Sequence, residues 1–501
     1  MKERGIFVGA RHVPREILTD RSERLAKGMA TLGLREGDVV AVLLRNRMAY
    51  LEIILACRRL GIYYCPVNWH FTAAELGYIL GDSGARAVFT ETAFVETVKE
   101  ANTGMMPAFC VNTGPAMAAG VRDFDEWVDA QSRYAGPLAA PRGHMAYTSG
   151  TTGKPKGVVR DPVPIERLAA TQAVMLEIVE RTMGLKQGCR ALLTAPLYHS
   201  APSLFCQMSL QLCELFMVME RFDAEEFLRI VEEDRIEVAY LVPIMYVRLL
   251  KLPASVRDRF DLSSLRFISS TGAPCPPEIK ARMIEWLGPV VYETYASSEV
   301  GMITLADSDQ AMRKPGTAGK PVGPAEIRIL DEKGDPLPPN GIGKVYVRQP
   351  AYADFTYKNN GAARRAVDVD GFIGLGDMGY VDEDGFLFIC DRESDMVLSG
   401  GVNTYPAEIE HVLLRHPAIA DCAVIGVPDP EYGESLRAFI DLEPGQRLDE
   451  EGAGQWLSRQ LARYKIPRKF VFDCSVPRDL NGKISRKKLR EQYWKEHGRK
   501  V

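Results

Sequence analysis

The stretch Tyr147-Thr-Ser-Gly-Thr-Thr-Gly-Lys-Pro-Lys-Gly157 is the most informative segment of the sequence. Its eleven residues hold three glycines, two lysines and four serine or threonine hydroxyls. Glycines let the backbone approach an anion closely, hydroxyls donate hydrogen bonds to it, and lysines add positive charge. The preceding residues Met145 and Ala146 read as the end of a strand, where α/β sheets usually bind ligands. The stretch therefore predicts a phosphate-binding loop, although a polar surface loop can have the same composition.

Two other phosphate motifs are excluded by their spacing. A Walker A loop requires a glycine where this chain has Thr148, and a serine or threonine where it has Pro155. The run Gly374-Leu-Gly-Asp-Met-Gly379 satisfies G-x-G-x-x-G, but the residues after it are typical of a turn. Because no helix N-terminus would then face a pyrophosphate, the run does not predict a dinucleotide-binding fold.

Helix-like and strand-like segments alternate on both sides of the loop. Leu25, Met29 and Leu32 share one helical face ahead of Gly33, and the valine-rich run 39–44 is too short for a helix. Further helices are predicted at 50–60, 224–234, 276–287, 406–415 and 449–463, and further strands at 86–90, 238–242, 420–427 and 436–442. This alternation predicts an α/β fold with a parallel sheet.

The pattern of predicted helices and strands changes near residue 325. Short strand-like segments separated by Asp-Gly and proline turns indicate a smaller β-rich unit, at 327–330, 344–348 and 386–389. After Arg392 the α/β alternation returns. We therefore predict a large N-terminal α/β domain over 1–391, with a β-rich subdomain at about 325–391, and a small C-terminal α/β domain over 392–501.

The composition excludes several classes of protein. The 501 residues carry a net charge of −4, so a general nucleic-acid coat is not expected. No apolar run approaches the roughly 18 residues of a membrane span, and the first residues have no signal-peptide core. The ten cysteines form no C-x-x-C pair and the seven histidines no close ligand pair, which disfavours a zinc site. We expect a cytoplasmic protein that acts as a monomer or homodimer, and leave peripheral membrane contact open.

Five segments in order along the chain resemble the motifs of one family. The first is the loop 147–157, and the others are Pro196-Leu-Tyr-His-Ser200, Tyr295-Ala-Ser-Ser-Glu299, the run 391–410 and Pro477-Arg-Asp-Leu-Asn-Gly-Lys483. Together they resemble the adenylate-forming enzymes, and within them the acyl- and aryl-CoA synthetases. The resemblance extends from about residue 15 to residue 490. One such segment can arise by chance, whereas five at these separations identify the family.

The resemblance implies a two-step reaction. A carboxylic acid is activated with ATP and Mg²⁺, giving acyl-adenylate and pyrophosphate, and the acyl group then passes to coenzyme A. Both steps develop negative charge that donors and a metal stabilise. The implied catalytic residues are Lys483, Glu299 and His199, with Glu299 also the metal ligand. The C-terminal domain is implied to be mobile, rotating between the two steps about a hinge at 393–395.

The family's binding positions fall on residues from several segments. For the nucleotide they are Thr148, Ser149, Gly150, Thr151, Thr152, Gly153, Lys154, Lys156, Gly272, Ala273, Pro274, Tyr295, Ser298, Asp377 and Arg392. Gly400 and Gly401 are implied to face the pantetheine arm of coenzyme A. The acyl pocket is expected to draw on His199, Met245, Gly301 and Met302. Flexible methionines suit a hydrophobic monocarboxylic acid, whether fatty, alicyclic or aromatic.

Three residues depart from the family pattern. Ser394 stands where the hinge usually has an acid, Leu375 where a hydroxyl precedes Gly-Asp, and Ala296 where a glycine follows the aromatic residue. None of these changes removes a charged catalytic group, so an active enzyme is still expected. The position of the hinge, however, is left open.

Two other functions compete with the acyl-CoA synthetase. An adenylation enzyme that loads amino acids onto a carrier protein generally needs an acid for the substrate ammonium, and the segment 197–200 has none. A non-catalytic nucleotide-binding regulator is disfavoured because Lys483 and Glu299 are both present. AMP release that requires free coenzyme A, and not a carrier protein, separates the acyl-CoA synthetase from the enzyme that loads a carrier protein.

Overall fold

The largest sheet has a parallel centre and antiparallel strands at both edges. The computed structural model describes residues 4–102, 108–112, 121–148, 154–399, 402–472, 474–478 and 483–494. In spatial order the strands of this sheet are Lys320–Pro321, Gly301–Ala306, Val291–Ser297, Phe267–Ser270, Val238–Leu241, Arg190–Leu193, Leu215–Val218, Gly5–Val8 and Arg11–Val13. The central strands are apolar and buried, as expected where helices cover both faces of a sheet.

A second, parallel sheet is built from residues that precede the phosphate loop. In spatial order its strands are Tyr63–Pro66, Val39–Leu43, Ala85–Glu91, Ala108–Val111 and Arg122–Asp123. The helix predicted at 50–60 is observed as Met48–Leu60, and it ends at Gly61, whose φ of 62° is left-handed. The helix that carries Leu25 and Met29 buries both side chains. The alternation predicted for this region is confirmed.

Two antiparallel sheets follow along the chain. In the first, the strands Ala146–Thr148 and Lys156–Arg160 flank the phosphate loop, and Phe355–Tyr357 pairs with the latter. The second occupies the predicted β-rich region, with strands Glu326–Leu330, Gly343–Arg348, Asp368–Val369, Phe372–Val381 and Leu387–Arg392. The run 374–379 lies inside a strand, so no helix N-terminus follows it, as predicted.

The C-terminal residues form a sheet with its own core. The strands are Val397–Ser399, Val402–Thr404, Ile419–Asp429, Gly433–Leu442 and Lys469–Val471. Buried apolar side chains from residues 397–457 pack together beneath it. The helix predicted at 449–463 is shorter, Glu450–Ser458, because the backbone at Ala462 is extended before a separate 3₁₀ turn at Arg463–Lys465.

The fold is therefore α/β, with a large N-terminal domain and a small C-terminal domain. The predicted boundary at residue 391 falls at the end of strand Leu387–Arg392, and its position stays a prediction. Among the described residues, four ion pairs join the two parts of the chain: Lys344 with Glu393 at 2.7 Å, Arg415 with Glu278 at 2.5 Å, Lys251 with Glu443 at 3.1 Å, and Arg392 with Asp377 at 2.8 Å.

Helices connect the strands and cover the faces of the sheets. The α-helices are Arg15–Thr31, Met48–Leu60, Ala73–Ser83, Val95–Asn102, Phe124–Asp129, Leu168–Met183, Ser200–Leu212, Ala224–Glu233, Pro243–Leu250, Ala254–Arg257, Pro277–Leu287, Ser308–Arg313, Gly361–Ala366, Pro406–Leu413, Glu450–Ser458 and Arg486–Trp494. Asp223 caps its helix by accepting a hydrogen bond from the backbone of Glu226. Within the described ranges, no helix has the length and apolar character needed to cross a membrane.

Gly319 lies where the largest sheet meets the β-rich sheet. It pairs with Leu387 of the β-rich sheet and has a left-handed φ of 92°. A Cβ at this position would lie 2.0 Å from the backbone oxygen of Leu305, inside the strand Gly301–Ala306 of the largest sheet. Because backbone in a sheet cannot move aside cheaply, the two sheets can approach this closely only at a glycine.

We expect Gly319→Ala to lower the free energy of unfolding by about 3 kcal/mol, combining a forced backbone shift with left-handed strain. Gly334→Ala is the matched control, because Gly334 also has a positive φ, 90°, but a Cβ there would meet nothing within 4 Å. Urea unfolding of both variants separates the clash from the strain. Equal losses would show that the two sheets do not depend on this contact.

Candidate active site

A cleft of about 800 Å³ opens at the carboxyl ends of the parallel strands of the largest sheet. The loops that leave these ends, at 194–200, 271–272 and 298–300, all contribute to its wall. The β-rich sheet contributes Gly374 and Asp377, and the C-terminal part of the chain contributes Lys483. Ligands of α/β proteins bind outside the carboxyl ends of parallel strands, so the position agrees with that of a binding site.

Glu299 lies in a tight turn of the cleft wall. The turn 298–300 joins the antiparallel strands Val291–Ser297 and Gly301–Ala306. Gly301 follows it with a φ of 83°, and a Cβ there would lie 2.5 Å from the ring of Tyr352. A glycine is therefore required both by the backbone of the turn and by the ring packed against it.

One oxygen of the Glu299 carboxylate is held by hydroxyl groups. Its Oε1 accepts a hydrogen bond from the Tyr357 hydroxyl at 3.2 Å and a longer one, 3.4 Å, from the hydroxyl of Thr148. Burial, and then the Glu299 charge, raise the pKa of Tyr357, so this hydroxyl stays a donor. Among the described residues, no hydrogen bond or ion pair reaches Oε2.

This arrangement fits a hard divalent cation. An oriented carboxylate with one unengaged oxygen in a cleft is the type of ligand that Mg²⁺ takes from a protein. Within the described ranges, no three His, Cys, Asp or Glu residues come close enough to enclose a metal. A cation at Glu299 would therefore take most of its ligands from substrate phosphates and water.

The two ends of the phosphate loop are held by one helix. Tyr147, just before the loop, donates to the Asp82 carboxylate at 2.7 Å, and Tyr78 donates to the carbonyl of Pro155, just after it, at 2.9 Å. Tyr78 and Asp82 are one turn apart on the helix Ala73–Ser83, so they present both groups on the same face. The predicted residues Ser149, Gly150, Thr151, Thr152 and Gly153 lie outside the described residues, as do Gly400 and Gly401.

Asp377 lies on the opposite wall and is only 5% exposed. Its carboxylate accepts a hydrogen bond from the Tyr295 hydroxyl and forms an ion pair with Arg392 at 2.8 Å. Burial, and then the Asp377 charge, raise the pKa of Tyr295 well above its ordinary value. Burial alone would lower the pKa of Arg392, but the Asp377 carboxylate raises it. The three residues form a fixed polar group that leaves lone pairs of the carboxylate available to further donors.

His199 and Lys483 bring the second motif and the fifth motif to the same cleft. His199 precedes the helix Ser200–Leu212, and its Nε2 is buried without a hydrogen-bond partner among the described residues. Burial, with a contribution from the Lys483 charge, lowers the pKa of His199 to about 3. The imidazole is therefore neutral near pH 7, next to a cation that belongs to the last part of the chain.

Most of the predicted residues within the described ranges line the cleft: Thr148, Lys156, His199, Gly272, Ser298, Glu299, Gly301, Met302, Asp377, Arg392 and Lys483. Others do not line it. Tyr295 lies behind Asp377, and Lys154 lies 5.2 Å from the ring of Tyr78. Ala273 and Pro274 are not in the wall, and Met245 is buried in the core with a Thr194 hydroxyl on its sulfur. Met245 is therefore not a pocket residue in this structure.

Several residues of the site were missed by the sequence analysis. Ser200 contacts Ser298 at 2.7 Å between hydroxyl oxygens, and Tyr357 orients Glu299. Arg160 also lines the cleft. Its position could have been found, because residues 156, 158 and 160 of one strand share a face. Tyr357 has no local signal, since it reaches Glu299 only through the pairing of distant strands.

Comparison with known proteins agrees with this geometry. The model of the AMP-binding enzyme family matches residues 15–354, and that of the AMP-binding enzyme C-terminal domain matches residues 408–483. The chain belongs to this family of adenylate-forming enzymes. The solved o-succinylbenzoate CoA synthetase of Bacillus subtilis, in complex with its acyl-adenylate, is similar with a TM-score of 0.81 and 28% identity, covering 97% of this chain and 95% of that one.

Two relatives of this AMP-binding enzyme have names that differ in the acceptor of the acyl group. A fatty acid–[acyl-carrier-protein] ligase of Streptomyces coeruleorubidus is 33% identical over 500 residues, covering 97% of this chain and 92% of that protein. A feruloyl-CoA synthase of Amycolatopsis sp is 33% identical over 485 residues, covering 95% of this chain and 93% of that protein. Family membership therefore leaves the acid and the acceptor to be argued from the site.

Two partly buried histidines at the cleft predict a loss of stability in mild acid. Burial, and then the Arg160 charge, lower the pKa of His144 to about 4, while His199 titrates near 3. As the pH falls below about 6.5, these histidines become protonated in the unfolded chain but stay neutral in the folded protein. The free energy of unfolding therefore falls by up to about 1.4 kcal/mol per pH unit for each histidine.

Replacing His144 by glutamine removes its share of this loss. We expect the stability of His144→Gln, relative to the unchanged protein, to rise steadily from pH 6.5 to pH 4.5 in urea unfolding experiments. His70→Gln is the control, because His70 is exposed. A constant difference across this range for His144→Gln would mean that this histidine is protonated normally in the folded protein.

Proposed function

We propose that this enzyme is an ATP-dependent acyl-CoA synthetase acting on a hydrophobic monocarboxylic acid, whether fatty, alicyclic or aromatic. The observation that carries the proposal is the convergence of Lys483 with Glu299 and Asp377 on one cleft, although they are far apart in the sequence. A cation, a metal-binding carboxylate and a carboxylate suited to a diol are the groups that activation of an acid by ATP requires.

In the first step, a carboxylate oxygen of the acid attacks the α-phosphorus of ATP, and the bond from that phosphorus to pyrophosphate breaks. Lys483 contacts the attacking carboxylate and stabilises the negative charge that develops on the bridging oxygen as the bond to pyrophosphate breaks. Lys156, Ser298, Thr148 and the loop 149–153 hold the phosphates. Glu299 would hold a Mg²⁺ ion, which would neutralise phosphate charge when bound.

Asp377 accepts the two ribose hydroxyls, and Arg392 keeps that carboxylate ionised and correctly oriented. Gly272 lines the adenine side of the cleft, and Ala273 and Pro274 follow it in the chain, outside the wall. Tyr295 acts there through its hydrogen bond to Asp377, because its ring lies behind the wall of the cleft.

In the second step, the thiol sulfur of coenzyme A attacks the acyl carbon, the bond to AMP breaks, and the thiol proton is released. The C-terminal domain, from about Arg392, rotates to withdraw Lys483 and to present Gly400 and Gly401 to the pantetheine arm. The movement is required because one small domain cannot hold both a lysine and a thiol at the same carbonyl.

The choice of acid rests on the wall beside His199. The wall of the cleft includes the apolar side chains of Ala201, Leu204, Met175 and Met302. A wall of this kind binds a hydrocarbon group by excluding water, and methionines adapt to its shape. The ring of Tyr352 fills the space beside Gly301.

A carrier protein is the alternative acceptor, favoured by the similarity to the carrier-protein ligase. The deciding experiment measures AMP release from ATP with a panel of hydrophobic acids, using either free coenzyme A or a phosphopantetheinylated carrier protein. Release that requires free coenzyme A supports the proposal. Release only with the carrier protein selects the alternative, and no acid-dependent pyrophosphate exchange at all would make the protein a regulator. A cytoplasmic location and a monomeric or homodimeric state stay predictions.

Lys483→Ala is expected to reduce acid-dependent ATP–pyrophosphate exchange by about 10²–10³-fold, the scale for losing one well-placed group that stabilises developing charge. Thioester formation from supplied acyl-adenylate is expected to continue, because Lys483 serves only the first step. Lys488→Ala, which changes an exposed lysine five residues further along the chain, is the control. Equal loss in both half-reactions would remove Lys483 from this role.

Glu299→Gln is expected to raise the Mg²⁺ concentration needed for half-maximal pyrophosphate exchange, because it keeps the shape of the side chain but removes the charge that holds a hard cation. The exchange rate at saturating Mg²⁺ should also fall. Glu326→Gln, which changes an exposed acid of the β-rich sheet, is the control. An unchanged Mg²⁺ requirement in Glu299→Gln would show that Glu299 has a structural role.

A further inference from the structure

Arg160 is a partly buried cation whose guanidinium hydrogen bonds all go to backbone carbonyls. Its guanidinium donates to the carbonyl oxygens of Ala353 at 2.7 Å, Ser298 at 2.8 Å and Glu299 at 2.7 Å. Among the described residues, no carboxylate oxygen lies within 4.0 Å of it. Burial lowers the pKa of Arg160, so keeping its guanidinium charged at this site costs free energy.

The three carbonyls belong to the segments that surround the Glu299 carboxylate. Those of Ser298 and Glu299 lie in the turn 298–300 itself. The carbonyl of Ala353 precedes the strand Phe355–Tyr357, whose last residue donates to Glu299 Oε1. Arg160 itself ends the strand that leaves the phosphate loop. One guanidinium therefore joins the phosphate loop, the acidic turn and the tyrosine that orients the acid.

The ring of Tyr352 completes the enclosure. The guanidinium carbon of Arg160 lies 5.3 Å from the centre of this ring. The same ring also packs against Gly301. A planar fork of donors stacked on an aromatic ring has one preferred orientation, which an ammonium does not have. The guanidinium thus joins the backbone of the turn 298–300 to this ring at the wall of the cleft.

We propose that Arg160 is a positioning residue for the metal-binding carboxylate of Glu299. The proposal rests on the assignment of Glu299 as the metal ligand made above. Arg160 acts through the backbone of the turn 298–300, whereas Tyr357 and Thr148 act on the carboxylate directly. Its loss lets the turn relax, so the carboxylate no longer meets the cation in a single orientation.

The test measures the half-saturating Mg²⁺ concentration in acid-dependent pyrophosphate exchange. Arg160→Met should raise it about five- to tenfold, the scale for losing hydrogen bonds from a charged donor. Arg160→Lys keeps the charge but not the fork, and should raise it about two- to fivefold. Thioester formation from supplied acyl-adenylate should change much less. Arg364→Met is the matched control, since Arg364 bonds the carbonyl of Phe355 in the same strand but does not line the cleft.

A double variant then tests the route of the effect. In the Glu299→Gln background, Arg160→Met should add less than about twofold to the Mg²⁺ requirement, because both changes act on the same carboxylate. A full additional increase would overturn the proposal, as would unchanged Mg²⁺ requirements in Arg160→Met and Arg160→Lys. If the methionine variant does not fold, the lysine variant decides.

The two assignments fail in different ways. An unchanged Mg²⁺ requirement in Glu299→Gln alone would reject the metal assignment, and with it the role of Arg160. A raised requirement in Glu299→Gln, with none in the Arg160 variants, would reject only the role of Arg160. A raised requirement in Arg364→Met equal to that in Arg160→Met would show a general loosening of the strand Phe355–Tyr357, and would also reject it.

Discussion

The common direction of the parallel strands in the largest sheet is the constraint on which the site depends. Because those strands run the same way, the loops after Arg190–Leu193, Phe267–Ser270 and Val291–Ser297 must all emerge at one edge. His199, Gly272 and Ser298 thereby reach one cleft from distant parts of the sequence. The β-rich sheet and the C-terminal domain close this edge of the sheet. The β-rich sheet adds the Asp377 carboxylate, and the C-terminal domain adds the Lys483 ammonium.

Local patterns predicted much of this architecture. The alternation of helical and strand-like segments gave the α/β class, since periodicity reports which face of each element is buried. The end of the helix Met48–Leu60 at Gly61 was also predictable, because a left-handed residue there has a clear preference for glycine. Five motifs identified the family. Each of these inferences depends on residues close together in the chain.

Long-range packing accounts for what the sequence did not reveal. Met245 was expected at the acyl pocket, but its helix turns the sulfur toward Thr194 in the core, and no local pattern distinguishes these two directions. The partners of Glu299 come from separate strands, so their approach depends on sheet pairing rather than on spacing. The shortened helix Glu450–Ser458 shows the same limit, since its polar C-terminal turn carries too little apolar periodicity to fix an end.

The ion pairs between the two domains have a consequence for the response of the enzyme to salt. The side chains of Lys344, Arg415 and Lys251 are each more than a third exposed, and so are those of their three acidic partners. Pairs of this kind contribute about 1 kcal/mol or less each and are screened by ions over about 10 Å at 0.1 M ionic strength. Added salt therefore weakens these three exposed contacts of the C-terminal domain. The ion pair of Arg392 with the buried carboxylate of Asp377 is screened less. Ionic strength thus changes how firmly the C-terminal domain is held more than it changes the contacts of Asp377 in the cleft.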